Sequence, residues 1–394
     1  MKGVIMAGGM GKRLRPLTCK VPKPMVPLVH KPVMEYGIEL LKKNGITEIA
    51  VTLQYIPEVI KNYFGDGSKF GVNLYYFEET TPLGTAGSIK NAERFLDERF
   101  IVISGDGLTD FDLVKGIKFH DRKGALATIF MKQTDSPFEL GVVKTNERDE
   151  VVRFHEKPCS SEIFSDTVNT GIYVLDPGIF EYLQKGVPTD FSRDLFPLLV
   201  KERGTIFGYK AQGYWCDVGN LDSYRQTQFD MLSKKVNVNL CGKEVKDGIW
   251  IGNNVVVEEG VTLQGPLSIG DEVVIRKGTL VDSHSIIGSN STIATNSTLE
   301  HSILWNDIFI GPNSELKGTT ICKGVQLENS VSLFEASVIG ENCTIAANAM
   351  VQPEVKVWPN KGISEAAIVH TSIILEKNKS NQQSVNSNWR IHNF

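Results

Sequence analysis

The sequence predicts an α/β domain with a mostly parallel sheet, followed by a parallel β-helix. In residues 1–235, short apolar runs alternate with segments of helical pattern, which is typical of layered α/β proteins. In residues 245–375, an aliphatic residue recurs every six positions, a period that no α-helix has. Residues 376–394 are polar and low in apolar residues, and we expect them to be disordered.

The elements of the first segment follow from its apolar pattern. Residues 2–7 form a short apolar run, typical of a buried first strand, with glycines directly after it. A helix is predicted after Pro32, because apolar residues share one helical face until Asn44-Gly45 ends it. The elements predicted next are a strand at 48–53, a helix at 56–64, a helix at 84–95 and a strand at 100–104.

The six-residue repeat predicts a solenoid whose coils stack on one another. The first register contains Ile251, Val257, Leu263, Ile269, Ile275, Val281, Ile287, Ile293 and Leu299. After a slip, the second contains Ile310, Leu316, Ile321, Leu327, Leu333, Ile339, Ile345, Val351 and Val357. A solenoid end exposes backbone edges, which need a cap or a partner, so we expect a homo-oligomer formed through the β-helix.

Composition restricts the class of function. A chain of 394 residues suggests two domains. A net charge of −4 argues against a general nucleic-acid binder, so no nucleic-acid partner is expected. The six cysteines have no metal-finger spacing and are typical of reduced thiols, which predicts a cytoplasmic protein. No stretch approaches the length of a signal peptide or a bilayer span, so no membrane partner is expected.

A glycine-rich loop with nearby cations predicts a nucleoside triphosphate site. Backbone N–H groups of such a loop can reach phosphate oxygens, because no Cβ stands in the way. Arg13, Arg15 and Lys23 supply positive charge beside it, and arginine can bind a phosphate bidentately. The predicted nucleotide contacts of this segment are Ala7, Gly8, Gly9, Gly11, Lys12 and Arg13.

Two aspartates are candidate metal ligands. Asp106 leaves the end of an apolar strand between two glycines, and Asp217 lies just before Gly219. Two carboxylates together with phosphate oxygens are the hard ligands that Mg²⁺ prefers. Either aspartate taken alone is more often a turn former, and that alternative stays open on the residues alone.

The segment from Gly8 to Lys23 resembles the signature of sugar-1-phosphate nucleotidyltransferases, which join a sugar phosphate to an NTP and release pyrophosphate. The resemblance implies a Rossmann-like core, and the repeat resembles hexapeptide-repeat left-handed β-helices. It also implies Mg²⁺ as cofactor, bound by Asp106 and Asp217, with Arg13 and Lys23 as further catalytic residues. One departure is Lys12, where the family usually has threonine or serine.

The resemblance also predicts which base is bound. The family residue five before Gly84 faces the base edge, and thymidylyl- and uridylyltransferases tend to use glutamine there. This chain has Glu79, which only accepts hydrogen bonds, whereas guanine presents the adjacent donors N1–H and N2–H. Guanine therefore fits best, with Gly84 and Thr85 as further nucleotide contacts. The alternative is that Glu78 and Glu79 form a solvated acidic pair opening a loop.

Two further segments, 154–158 and 168–171, resemble the sugar-binding segments of the family. Carboxylate and amide groups could hold ring hydroxyls there, and a lysine could hold the phosphate. A glycine at position 141 would leave room for the pyranose, and Trp215 fits a core position as well as a ligand wall. The implied sugar-phosphate contacts are Gly141, Glu156, Lys157, Asn169, Thr170 and Trp215.

The resemblance is closest to bacterial mannose-1-phosphate guanylyltransferases, which transfer a guanylyl group from GTP by direct in-line attack. The substrates would be small molecules. Three alternatives remain: a glucose-1-phosphate nucleotidyltransferase using UTP, dTTP or ATP; a bifunctional enzyme with an acetyltransferase β-helix, for which no repeat has a persuasive histidine loop; and an inactive regulatory or assembly subunit. The presence of all four implied catalytic residues favours an active enzyme.

Overall fold

The computed structural model describes residues 1–374 apart from positions 136, 138, 203 and 204. An α/β part and a parallel β-helix follow one another along the chain, which confirms the predicted fold class. The segment 376–394, predicted to be disordered, lies outside the described residues. All six cysteines carry free thiols. In the described part of the chain, no helix combines the length and apolar content needed to cross a bilayer.

The α/β part consists of strands and helices with the following bounds. The strands are β1 (Lys2–Met6), β2 (Pro27–Leu28), β3 (Lys31–Pro32), β4 (Glu48–Leu53), β5 (Asn73–Glu78), β6 (Phe100–Ser104), β7 (Gly107–Thr109), β8 (Ala127–Gln133), β9 (Gly141–Thr145), β10 (Val151–Glu156), β11 (Thr167–Leu175), β12 (Ile206–Lys210) and β13 (Trp215–Asp217). The helices are α1 (Val33–Lys43), α2 (Pro57–Phe64), α3 (Gly84–Asn91), α4 (Leu113–Lys123), α5 (Phe196–Lys201) and α6 (Leu221–Leu232).

The main sheet has the strand order β10-β9-β11-β6-β1-β4-β5, with β8 pairing with β11 and β12. Strands β6, β1, β4 and β5 are parallel, and β11 and β9 continue the sheet in antiparallel pairing. Met6 lies opposite Ser104 on one side and Thr52 on the other, so these strands end at the same level. The loops after β1, β4 and β6 therefore gather at one edge, where ligands of such sheets bind.

Both faces of β1, β4 and β6 are buried, which explains their continuous apolar runs. Val4 and Val102 belong to the core cluster that includes apolar residues of α3 and α5, whereas Ile5 and Ile103 belong to the one that includes those of α1. Helix α3 ends at Asn91 instead of the predicted residue 95. The chain continues there in tight turns with hydrogen bonds three residues apart.

The β-helix is built from short strands in three sheets, which are parallel apart from the antiparallel pairing of its first two strands. Its strands are β14 (Lys243–Lys246), β15 (Ile249–Ile251), β16 (Val256–Val257), β17 (Thr262–Leu263), β18 (Leu267–Ile269), β19 (Val274–Ile275), β20 (Leu280–Val281), β21 (Ser285–Ile287), β22 (Thr292–Ile293), β23 (Thr298–Glu300), β24 (Ile303–Leu304), β25 (Phe309–Ile310), β26 (Glu315–Lys317), β27 (Thr320–Ile321), β28 (Gln326–Leu327), β29 (Ser332–Leu333), β30 (Val338–Ile339), β31 (Thr344–Ile345), β32 (Met350–Val351), β33 (Lys356–Val357), β34 (Gly362–Ile363) and β35 (Ile368–Val369).

The residues of the six-residue repeat fill the interior of the β-helix, which is fully buried from Ile269 onwards. In the first coil Val257 stays 40% exposed, because no coil stacks above it. The corners between strands hold left-handed residues, which asparagine tolerates better than most side chains. The asparagines at such corners are Asn254, Asn290, Asn296, Asn313, Asn342, Asn348 and Asn360.

The slip in the repeat has a structural explanation. Leu304 takes the interior position five residues after Leu299, and Ile321 follows Leu316 by five, so two coils are each shortened by one residue. Both shortened corners face α6: the ring of His301 packs against Phe229, and the Gly318 carbonyl accepts a hydrogen bond from α6. The irregularity therefore marks where the β-helix meets the α/β part.

One face of the β-helix is covered by the α/β part. Ile286 and Ile303 point outward from their sheet, yet they are 2% and 1% exposed because they pack in a shared cluster with Tyr224 of α6. The Trp305 indole N–H donates to the Tyr224 hydroxyl at 2.9 Å. Apolar packing and this buried hydrogen bond join the two parts into one unit.

Successive side chains of β25 alternate between the surface, at Phe309, and the interior, at Ile310, which provides a matched test of the interior packing. Ile310→Ala should lower the free energy of unfolding of the β-helix by about 2–5 kcal/mol, because it removes a fully buried side chain. Phe309→Ala, which alters the neighbouring side chain that is 40% exposed, should cost much less. Denaturant unfolding of both variants measures the difference, and equal losses would contradict the assigned inward row.

Candidate active site

The short ladder between β7 and β13 brings the two predicted metal-binding aspartates together. Gly107 pairs with Asp217, and the Val218 N–H donates to the Asp106 carbonyl at 3.1 Å. Asp106 comes just after the end of β6. The Gly105 N–H donates to the Met6 carbonyl at 2.9 Å, which holds this part of the chain beside the end of β1. Two carboxylates from distant parts of the sequence therefore meet at the edge where the glycine loop begins.

Lys23 lies between the two carboxylates. It begins a short 3₁₀ turn, Lys23–Met25, whose start is fixed by the proline on each side. Its amine is 3.0 Å from Asp217 Oδ1 and also contacts Asp106 Oδ2. The Ser104 hydroxyl donates to the other oxygen of Asp106. One ammonium group therefore pairs with two carboxylates, both of them largely buried.

This trio carries one excess negative charge when both aspartates are ionised. Burial opposes the ionisation of Asp106, but the Lys23 ammonium and the hydrogen bonds outweigh it and lower its pKa. Burial and the neighbouring Asp106 raise the pKa of Asp217. Burial works against the charge of Lys23, yet the two carboxylates raise its pKa. The first carboxylate therefore ionises easily and the second with difficulty.

The donor set fits a hard divalent cation that also contacts phosphate. In the described residues, no group of three or more His, Cys, Asp or Glu side chains could hold a metal by itself. Mg²⁺ is commonly bound by one or two carboxylates, with substrate phosphates and water completing its shell. Asp106 and Asp217 would supply the carboxylates, and the excess charge of the trio favours a cation there.

The glycine loop packs closely against neighbouring side chains at Gly11. Gly11 has a φ of 62°, and a Cβ there would lie 2.9 Å from the Thr18 side chain. The Thr18 hydroxyl holds the Gly11 carbonyl at 2.7 Å, and a 3₁₀ turn over Lys12–Leu14 follows. Lys12 is exposed, and the Arg13 guanidinium contacts Glu139. The loop is therefore held from behind, with its two basic side chains free of the core.

Glu79 is held in place at the end of β5, on the same edge of the sheet as the glycine loop. It follows β5, its N–H bonds to the Leu53 carbonyl at 2.9 Å, and its Oε2 accepts the Leu83 N–H at 2.9 Å. Burial raises its pKa. Glu78 instead is exposed and pairs with Lys61. The two glutamates thus do not form a solvated acidic pair.

A polar cavity of about 210 Å³ lies beside the trio on the antiparallel side of the sheet. Ten of the predicted residues line it: Arg13, Lys23, Asp106, Gly141, Glu156, Lys157, Asn169, Thr170, Trp215 and Asp217. Eight predicted nucleotide residues lie outside it, along the ends of β1 and β5 and the start of α3: Ala7, Gly8, Gly9, Gly11, Lys12, Glu79, Gly84 and Thr85. The trio therefore stands between two groups of predicted contacts.

Six lining residues were not predicted: Ser104, Gly107, Glu139, Leu140, Gly171 and Ser192. Ser104 and Gly107 lie beside Asp106 in the sequence, and Gly171 is the last residue of the 168–171 segment. These three could have been predicted from the motifs that contain them. Glu139, Leu140 and Ser192 lie in no recognisable pattern, and only the folded chain brings them to the cavity.

The cavity wall is shaped by close contacts. Gly141 pairs with Glu156, and a Cβ at Gly141 would lie 2.7 Å from the Glu156 carboxylate, so a side chain there would displace it. Burial raises the pKa of Glu156. The Asn169 amide donates to the hydroxyls of Tyr173, at 2.9 Å, and Ser192, at 3.3 Å. These polar groups are fixed before any ligand arrives.

Two of the predicted sugar contacts have structural partners. The Thr170 hydroxyl donates to the Phe130 carbonyl at 2.7 Å, away from the cavity, so only the rest of the residue forms wall. The Trp215 indole N–H donates to the Thr170 carbonyl at 3.0 Å. Trp215 also packs against the apolar cluster that contains Ile103 and Ile172, so it serves as core and as cavity wall.

Comparison with known proteins identifies the class. The nucleotidyl transferase family matches residues 2–234, and the GMPPB C-terminal domain matches residues 263–374. The chain therefore belongs to the sugar-1-phosphate nucleotidyltransferases, a family that generally uses a divalent metal.

Among its relatives is a UTP–glucose-1-phosphate uridylyltransferase of Synechocystis, 36% identical over 80% of this chain and 86% of the relative. Another is a mannose-1-phosphate guanyltransferase of Debaryomyces hansenii, 31% identical over 95% of this chain and 100% of the relative. The solved structure of HddC from Yersinia pseudotuberculosis complexed with GMP-PN is also similar, with a TM-score of 0.51 and 27% identity over 58% of this chain and 99% of that one.

The charge balance of the trio gives a stability prediction for metal-free protein in EDTA. Asp217→Asn should raise the free energy of unfolding at neutral pH, because it removes the carboxylate whose ionisation the site opposes. The gain should shrink as the pH falls through the raised pKa of Asp217 and vanish below the ordinary carboxyl pKa, where the side chain is protonated in the folded and unfolded states alike.

The control is the double variant Asp106→Asn with Asp217→Asn. It leaves Lys23 buried without a counter-charge and should therefore be less stable than the unaltered protein. Urea unfolding across the pH range measures all three proteins. A destabilised Asp217→Asn protein at neutral pH would contradict the assigned excess of negative charge.

Proposed function

We propose that this protein transfers a guanylyl group from GTP to mannose 1-phosphate, giving GDP-mannose and pyrophosphate. The observation that supports this best is the position of the Lys23 trio, between the glycine loop and the polar cavity. A triphosphate on the loop would place its α-phosphate near the trio, where a sugar phosphate in the cavity could reach it. Proximity of this kind, with charge stabilisation, is what such a transfer requires.

In the proposed reaction, a phosphate oxygen of mannose 1-phosphate attacks the α-phosphorus of GTP. The new P–O bond forms as the bond from the α-phosphorus to the bridging oxygen breaks, and the leaving pyrophosphate keeps that electron pair. No protein side chain is modified. Lys23 and Arg13 would stabilise the charge that develops on the phosphates. Mg²⁺, held by Asp106 and Asp217, would neutralise further phosphate charge.

Glu79 supports guanine as the base. One oxygen of its carboxylate accepts the Leu83 N–H, which fixes the group in residues 79–85, here called the base loop. The other oxygen is left to accept from a ligand. Guanine presents two adjacent donors, and an ionised carboxylate, which only accepts hydrogen bonds, suits them. The names of the Debaryomyces relative and of the GMP-PN complex are consistent with this choice.

For the sugar phosphate, Glu156 and Asn169 are proposed to hold ring hydroxyls, and Lys157 the phosphate. The name of the Synechocystis relative favours one second candidate, a uridylyltransferase acting on glucose 1-phosphate. Its identity to this chain exceeds that of the guanyltransferase, although over a shorter span. We further propose that the enzyme acts in the cytoplasm and self-associates through its β-helix.

The direct test is pyrophosphate release with Mg²⁺, using GTP, UTP, dTTP, ATP and CTP, each with mannose 1-phosphate and with glucose 1-phosphate. We expect turnover to be highest for GTP with mannose 1-phosphate. Preference for UTP with glucose 1-phosphate would replace the proposal by the second candidate, and no turnover with any pair would indicate a regulatory subunit.

Glu79→Gln tests the assignment of the base. The amide adds a donor beside the base edge, so kcat/KM for GTP should fall by about tenfold or more relative to that for UTP or dTTP. The control is Glu78→Gln, which alters the neighbouring glutamate that pairs with Lys61 and should leave the ratio unchanged. An unchanged ratio in the Glu79 variant would remove the argument for guanine.

A further inference from the structure

The base loop is hydrogen-bonded to residues 189–192, which follow the 3₁₀ helix Pro177–Tyr182. The Thr189 N–H donates to the Leu83 carbonyl at 2.8 Å, and the Thr189 carbonyl accepts the N–H groups of Ala86 and Gly87, both at 3.0 Å. A Cβ at Gly84 would lie 2.6 Å from that same carbonyl. The start of α3 is therefore positioned by this segment, with no space between them.

The carboxylate of Asp190 uses its two oxygens in two directions. Oδ2 accepts the Thr85 hydroxyl of the base loop at 2.8 Å, and that hydroxyl in turn accepts the Phe191 N–H at 2.9 Å. Oδ1 accepts the N–H groups of Ser192, at 2.9 Å, and Arg193, at 3.2 Å. Asp190 thus caps the π-helical turn Phe191–Leu195 while it holds the base loop.

That turn carries a side chain of the sugar cavity. The Ser192 hydroxyl accepts the Asn169 amide at 3.3 Å, and Ser192 lines the cavity together with Glu156. Asn169 and Glu156 are two of the groups proposed to bind the sugar. A continuous series of hydrogen bonds therefore runs from Thr85 through Asp190 and the turn to Ser192 and the cavity.

We propose that Asp190 is a positioning residue that couples nucleotide binding to sugar-phosphate binding. Asp190 is half-buried and does not line the cavity, so it acts through Thr85 on one side and Ser192 on the other. A carboxylate suits this position because its two oxygens accept all three donors, whereas an amide would turn an N–H group toward the hydroxyl that Thr85 donates. The inference rests on the proposed function for the identity of the two ligands, though not for the bridge.

Calorimetry with an unreactive GTP analogue tests the coupling. Guanosine 5′-(α,β-methylene)triphosphate has carbon in place of the bridging oxygen, so it cannot be cleaved when mannose 1-phosphate is present. Its Kd is measured with Mg²⁺, without and with saturating mannose 1-phosphate. In the unaltered protein the sugar phosphate should tighten this Kd by about fivefold or more, within the usual range of coupling between sites.

Asp190→Asn should bring this ratio to within about twofold of one. Thr85→Val, which removes the hydroxyl on the other side of the bridge, should do the same, and it keeps the proposal testable if the first variant folds poorly. The control is Thr189→Val, because the Thr189 hydroxyl bonds to the Val187 carbonyl and lies outside the bridge. That variant should keep the ratio of the unaltered protein.

Three results would overturn the coupling role: no coupling in the unaltered protein, an unchanged ratio in Asp190→Asn, or a loss of affinity for each ligand alone with the ratio preserved. The last would indicate a purely structural role. Failure of the guanosine analogue to bind the unaltered protein would instead contradict the proposed base. The same ratio, measured with the α,β-methylene analogue of UTP and glucose 1-phosphate, then decides the role of Asp190.

Discussion

The contact of Lys23 with two partly buried aspartates is the interaction on which the site depends. A strand end, a two-stranded ladder and a proline-flanked turn must all be in place for these three charges to meet. Once they meet, one cation faces two anions in a region with little water, and the imbalance attracts further positive charge. The fold therefore sustains a local electrostatic cost at the point where phosphates and a divalent cation would relieve it.

The sheet explains why the two sides of the site differ. On the parallel side, β1 ends in the glycine loop, and the backbone N–H groups of a glycine-rich loop suit phosphate oxygens. On the antiparallel side, β9, β10 and β11 present side chains from their pleated faces, which suit the many hydroxyls of a sugar. Asp190 belongs to neither sheet half, and its position between the base loop and the cavity joins them.

The parts of the site that sequence predicted are those with a local signature. Glycines next to a strand, and aspartates beside or shortly before a glycine, depend on backbone constraints that act over a few residues, so Gly11, Asp106 and Asp217 could be proposed from the sequence. Ser192 and Asp190 escaped because their roles arise from contacts made across the fold. The β-helix was predicted from its period, but the shortened coils at Leu304 and Ile321 were visible only as a slip, since the contacts that they make with α6 lie outside the repeat.

The interface between the α/β part and the β-helix, here called the seam, limits how far the two parts can be exchanged independently. Val26 and Leu28, which follow the turn of Lys23, lie in the same buried cluster as Ile303 and Trp305 of the β-helix. The β-helix therefore packs against the segment that carries Lys23 and helps to hold it in place. Exchange of β-helices among relatives would succeed only where the donor's outer face reproduces this seam, so the two parts are constrained to evolve as a matched pair.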